Sequence, residues 1–93
     1  METIFVGSQI IVGEEHDRLY LEYYLTESKS DTGIKTYGMK IVQDMSNIVQ
    51  DEVTGPISEH KEFVEKLLHT LKQNSVTATT MIEVVDDLVT LGF

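Results

Sequence analysis

Three histidines and sixteen carboxylates in 93 residues are the groups with which this chain could hold a metal ion or move a proton. Their spacing argues against a built site. His60 and His69 lie on one expected helix, but at about 100° per residue they fall on opposite faces and cannot share a ligand sphere in a monomer. Glu65 and His69 are one turn apart, as are Glu83 and Asp87 with Asp86 beside them; an exposed polar helix face accounts for both groups. The chain has no Cys, which removes thiol nucleophiles, thiolate metal sites and disulfides. It has no G-x-S-x-G elbow to activate a serine, and no glycine-rich loop of either nucleotide-binding type. No catalytic residue, cofactor or metal is therefore expected.

The remaining feature with binding chemistry is a set of side chains on a strand pair. Residues 18–27 alternate, with Leu19, Leu21, Tyr23 and Leu25 on one side and Tyr20, Glu22, Tyr24 and Thr26 on the other. In residues 34–44, Tyr37, Met39 and Ile41 share one parity, leaving Gly38 and Val42 on the other. If helices cover the Leu21 face, then Tyr20, Glu22, Tyr24, Gly38 and Val42 form a shallow amphipathic patch on the outward face. Two readings compete for it. Tyr rings lying over Gly38 are an ordinary way to stabilise paired strands, and Tyr is also enriched at the cores of protein interfaces.

Charge limits the partners. Sixteen acidic residues against seven basic ones give a formal net charge of −9 and a pI near 4.5, which disfavours nucleic acid and anionic membrane. No stretch approaches the roughly 18 apolar residues of a membrane span. Near Met1, Glu2 stands where a secretory signal needs positive charge, so a cytoplasmic location is the simplest expectation.

The elements that position these residues follow from periodicity. The first half repeats with period two and the second with period 3.6, and the only proline, Pro56, lies close to the change. Residues 2–12 are apolar at both parities, as expected of a strand covered on both sides or bulged near Gly7. The polar run 13–17 joins it to the second strand. Ser28 to Gly33 then turns the chain, and a register placing Tyr24 opposite Gly38 is the starting expectation. For the next turn, a three-residue loop pairing Asp44 with Ile48 is favoured, because it keeps Val49 and Val53 inward and uses Asn47 in the left-handed position. Ser58 is the expected N-cap of a helix carrying the stripe Phe63, Val64, Leu67, Leu68 and Leu71. After a break at 73–76, Thr77 is the expected cap of a second helix from Ala78 to Leu91, with Met81, Val84, Val85 and Leu88 inward and Gly92 ending it. The expected fold is α+β in the order ββββαα: a four-stranded antiparallel meander followed by a helical hairpin on one sheet face. Residues 1–93 form one domain, with 1–55 the sheet and 57–93 the helices.

The runs Tyr23-Tyr24-Leu25-Thr26-Glu27, Tyr37-Gly38-Met39-Lys40-Ile41, Ile57 through Leu67, Asn74 through Thr77 and Ile82 through Leu88 occur in that order. Together they resemble a family of small uncharacterised proteins, a domain of unknown function, from clostridia-type Gram-positive bacteria. The resemblance spans residues 18–89. It implies a bacterial intracellular protein and carries over no catalytic residues.

The function expected is a small protein-binding or self-associating module without catalytic activity, using the outward sheet face or an edge strand. A small-molecule site or enzyme using carboxylates and His in a cleft between sheet and helices is the alternative. An acidic inhibitor of a basic protein is the third reading.

Overall fold

A computed structural model describes residues 1–13 and 17–90. It shows the α+β order: β1 (Glu2–Val12), β2 (Arg18–Lys29), β3 (Lys35–Met45), β4 (Ile48–Val53), α1 (Lys61–Gln73) and α2 (Met81–Thr90). The strands form one antiparallel sheet in sequence order, with both helices on one face. The expected connection through Glu14, Glu15 and His16 and the expected helix stop at Gly92 lie outside the described residues.

The core is supplied by the two central strands. Leu21, Tyr23 and Leu25 of β2 and Tyr37, Met39 and Ile41 of β3 are buried against Val64, Leu67, Leu68 and Leu71 of α1 and Met81 and Val85 of α2. These are the alternate residues of the strands and the i, i+3, i+4, i+7 positions of α1, so two periodicities meet in one apolar layer.

Three local expectations are corrected. First, Tyr24 pairs with Lys40, and Gly38 pairs with Thr26, a slip of two residues that leaves the faces unchanged. The cause is the loop. The Ser30 hydroxyl accepts the Ile34 N–H at 3.1 Å and Gly33 takes φ +87°, so five residues from Ser30 to Ile34 stay out of the ladder. Second, Met45 pairs with Ile48 across a two-residue turn, Ser46-Asn47, with φ of 53° and 66°. Positive φ at both central positions is the primed geometry whose twist matches the flanking strands, and it outweighs burial of the β4 valines. The parity of β4 is thereby inverted, and Val49 and Val53 face outward. Ser46 adopts this conformation at a steric cost that Asn and Gly largely avoid. Converting Ser46-Asn47 to Asn-Gly is expected to stabilise the protein by roughly 0.5 kcal/mol, read as a rise in the urea midpoint.

Third, the helices start later than their polar residues suggest. The Ser58 carbonyl accepts the Tyr37 N–H at 2.7 Å and its hydroxyl accepts the His60 N–H at 3.0 Å, so Ser58 belongs to an extension of the sheet. Residue His60 stands at the N-cap of α1 without a side-chain cap. Likewise Thr77 opens a turn, closed by Thr80 N–H to its carbonyl at 3.3 Å, and α2 begins only at Met81.

The end of α1 is defined by its own chemistry. Ser75 takes φ 54°, the Val76 N–H donates to the Leu71 carbonyl and the Ser75 N–H to that of Lys72. This is a Schellman closure, with buried Val76 providing its hydrophobic contact. Polar side chains from the inner sheet face then hold the connection to α2. Gln9 Nε2 donates to the Lys72 carbonyl at 3.0 Å and to the Tyr23 hydroxyl at 2.9 Å, and Tyr23 donates to the Val76 carbonyl at 2.9 Å. On the other side, the Ala78 N–H donates to Gln43 Oε1 at 3.0 Å. These bonds satisfy backbone groups that a buried helix–helix connection would otherwise leave unpaired.

Candidate functional site

The face of the sheet away from the helices is assembled by two irregularities. In β1, Phe5 pairs with Tyr24 and Gly7 with Tyr23, so Val6 is an extra residue in a bulge. Before it, Phe5 points outward; after it, Ser8, Ile10 and Val12 do. The bulge resolves the mixed parity of β1: Ile4, Gln9 and Ile11 take the helix side, and Phe5, Ile10 and Val12 take the other. At the opposite edge, the two-residue turn sends Val49 and Val53 outward as well.

The face is therefore laid out in rows across the strands. Phe5, Tyr24, Lys40 and Val53 form one row; Ser8, Glu22, Val42 and Asp51 the next; Ile10, Tyr20, Asp44 and Val49 the third. Both edges are apolar and open, with Phe5 55%, Ile10 58%, Val12 59% and Val49 63% exposed. Between the edges, Ser8, Ile10, Tyr20, Glu22, Val42 and Asp44 line a shallow trough of about 360 Å³.

Tyr20, Glu22, Tyr24 and Val42 are brought together on this face, Tyr20 and Glu22 exposed and Tyr24 and Val42 half-buried. The Phe5 ring meets Tyr24 edge-on, with centroids 5.5 Å apart and planes at 69°. Partial desolvation, and after it the charge and hydrogen bond of Glu22, raise the Tyr24 phenol above its ordinary pKa. Lys40 and Asp51 form an ion pair at 3.6 Å across β3 and β4.

Gly38 does not serve as an open floor for tyrosine rings. The chain leaving β4 folds over it: a Cβ there would lie 2.7 Å from the Gly55 carbonyl oxygen and 2.8 Å from Thr54 Oγ1. Thr54 also replaces a strand pairing, accepting the Met39 N–H on its hydroxyl at 3.0 Å and donating its own N–H to the Met39 carbonyl at 2.9 Å. This crossing buries Thr26 to 3% exposure and closes the face at that end.

The interior between sheet and helices is an apolar layer. Among the described residues its buried side chains are apolar apart from Tyr23 and Tyr37, whose hydroxyls are already bonded, and no group of three His, Asp or Glu converges. Glu65, the possible partner of His69, is engaged by Lys61 at 3.8 Å. No described helix is long and apolar enough to cross a membrane.

Sequence reasoning missed Phe5, Ile10, Val12, Val49 and Val53. Two signals could have found them: apolar residues at both parities of β1 around Gly7, and Asn47 in a chain segment short enough for a two-residue turn. No curated protein and no solved structure matches the chain. Residues 2–91, nearly its whole length, match one family and carry every element of the sheet and both helices; the chain belongs to DUF6514, a family of unknown function.

Proposed function

We propose that this protein is a non-catalytic interaction module, cytoplasmic in location, that docks the outer face of its sheet on another protein surface. The observation that carries the reading is the uncovered face with apolar residues on all four strands: Phe5, Ile10 and Val12 on β1, Tyr20 on β2, Val42 on β3, Val49 and Val53 on β4. A monomer gains nothing from holding these in water, whereas apolar and aromatic residues interleaved with polar groups are what a protein interface presents. Tyr20 and Tyr24 supply aromatic area near its centre, and Glu22, Lys40, Asp44 and Asp51 supply polar contacts among them. The acidic-inhibitor reading finds no support in the charge layout. Exposed carboxylates lie on α1, α2, β4 and the outer sheet face alike.

The test is capture with cross-linking, comparing the wild type with Tyr20→Ser/Tyr24→Ser after circular dichroism shows both folded. The wild type is expected to retain a protein, itself or another, and the double variant to lose most of it. Equal capture by the two folded proteins overturns the reading.

A further inference from the structure

We infer that the occupant of this face is a second copy of the chain, packed sheet on sheet about a two-fold axis that runs parallel to the strands. This rests on the outer face being the docking surface and adds who docks there and in which orientation.

Charge is the first argument. A chain at −9 repels its own copy unless the meeting surfaces are depleted of that charge. The outer face is so depleted: Arg18 and Lys40 stand against Glu22, Asp44 and Asp51, so nearly all the net negative charge lies elsewhere. A strongly basic partner would find only about one net negative charge on this face, because Arg18 and Lys40 offset two of its three carboxylates.

Self-complementarity is the second. A two-fold axis along the strands, lying between two facing sheets, keeps each row level with itself and lays β1 over β4 and β2 over β3 of the second copy. Phe5 then meets Val53 of the second copy, and Ile10 meets Val49 of the second copy, apolar on apolar along both edges. Within the same rows, Tyr24 comes over Lys40 of the second copy, a ring for a cation, and Tyr20 over Asp44 of the second copy, a hydroxyl for a carboxylate. The alternative axis, perpendicular to the strands through the middle row, would also set apolar edge on apolar edge, but it lays Glu22 on Glu22 and Asp51 on Asp51 of the second copy, like charge on like charge. The usual twist between packed sheets, about 30°, shifts the alignment without changing which edges meet.

Area is the third. Four strands share the open face from the Phe5 row to the Ile10 row, about 17 Å along the strands and about 19 Å across on standard strand spacings, and β1 and β2 alone continue it to Val12 and Arg18. With side-chain relief two such faces bury on the order of 1,000 Å², below the roughly 1,200–2,000 Å² of standard stable pairs and in the range of weak, transient ones. The accessible surface of 6113 Å² also exceeds by about 700 Å² what a compact monomer of this mass exposes. A concentration-dependent dimer follows.

The test measures mass by light scattering and sedimentation from micromolar to about 1 mM protein, a range in which even millimolar affinity registers. The wild type is expected to move from 10.5 kDa toward twice that value. Ile10→Lys and Val49→Lys, each an exposed site on a different edge strand, are expected to stay monomeric while folded. The chain lacks Cys, so engineered pairs report cleanly. Ile10→Cys mixed with Val49→Cys is expected to give a disulfide-linked dimer, whereas Ile10→Cys mixed with Ile82→Cys, a site on α2, is not. A mass fixed at 10.5 kDa throughout overturns the inference. A dimer indifferent to both lysine variants, or one that does not form the Ile10–Val49 link, overturns it as well. If the chain stays monomeric yet captures another protein in a Tyr20/Tyr24-dependent way, only the identity of the occupant falls; if capture ignores those tyrosines, the docking face falls with it.

Discussion

Gly38→Ala is expected to lower stability by about 1–3 kcal/mol, and by more if the strand pair cannot relax. The new methyl would lie 2.7 Å from a backbone oxygen, that of Gly55, 2.8 Å from Thr54 Oγ1 and 3.0 Å from Thr26 Oγ1. None of these neighbours is the free end of a flexible side chain. The Thr54 hydroxyl is tied to the Met39 N–H, and the segment continues into the Ile57 N–H and Ser58 carbonyl bonds with Tyr37. Relief therefore requires lifting residues 54–58 off β3, at the point where the chain enters α1. Gly55→Ala is the matched control: a Cβ there meets nothing within 4 Å, and little change is expected. Urea unfolding of the two variants at equal concentration checks the contrast, and equal midpoints would contradict the crossing described here.

Tyr23→Phe is expected to cost a comparable amount, about 1–3 kcal/mol, although only one oxygen is removed. That oxygen donates to the buried Val76 carbonyl and accepts from Gln9, so its loss leaves a desolvated acceptor without a donor. Gln9→Leu removes the other half of the relay, and the double variant is expected to cost less than the two single losses together, since both act on one network. The pH dependence gives an independent readout. Burial raises the Tyr23 phenol above its ordinary 10.0, with the Gln9 hydrogen bond opposing the shift. A folded-state pKa above the unfolded one means the folded protein holds the proton more tightly. The resulting stabilisation is complete below the unfolded pKa and is lost as pH rises through the folded one. Stability is thus expected to decline above about pH 10, with a shallower decline in Tyr23→Phe. Tyr24→Phe separates the contribution of the outer-face phenol, which is also raised.

What the sequence conveyed, and what it hid, divides along a physical line. The interiors of β2, β3 and α1 were legible because each buries one face, and burial of one face imposes a period: Leu21, Tyr23 and Leu25 alternate, and Val64, Leu67, Leu68 and Leu71 follow helical spacing. The edge strands were not legible in this way, since β4 buries no residue and β1 shifts phase at Val6. There, turn geometry decided which residues face which side. A requirement to bury Val49 and Val53 led to a three-residue turn, whereas the twist of the strands selected two residues with positive φ. The polar residues misled in a similar manner. Ser58 and Thr77 have the chemistry of N-caps, yet the backbone groups nearest them made sheet and turn bonds first. Of the candidate site, Tyr20, Glu22, Tyr24 and Val42 were readable from β2 and β3 alone, while Gly38 was misjudged because the segment covering it arrives from beyond β4.

The exposure of all six residues of β4 has a consequence for cooperativity. In an isolated chain this strand adds backbone bonds to β3 but no packed side chains, so its opening carries little of the free energy that separates folded from unfolded protein. The opening is nevertheless bounded. The tight turn after Met45 holds one end, and the Thr54 and Ser58 bonds to Met39 and Tyr37 hold the other. β4 is thus a closed loop that can detach and re-form while α1 keeps its seat on the sheet, a low-energy excursion confined to the strand whose valines stand in water.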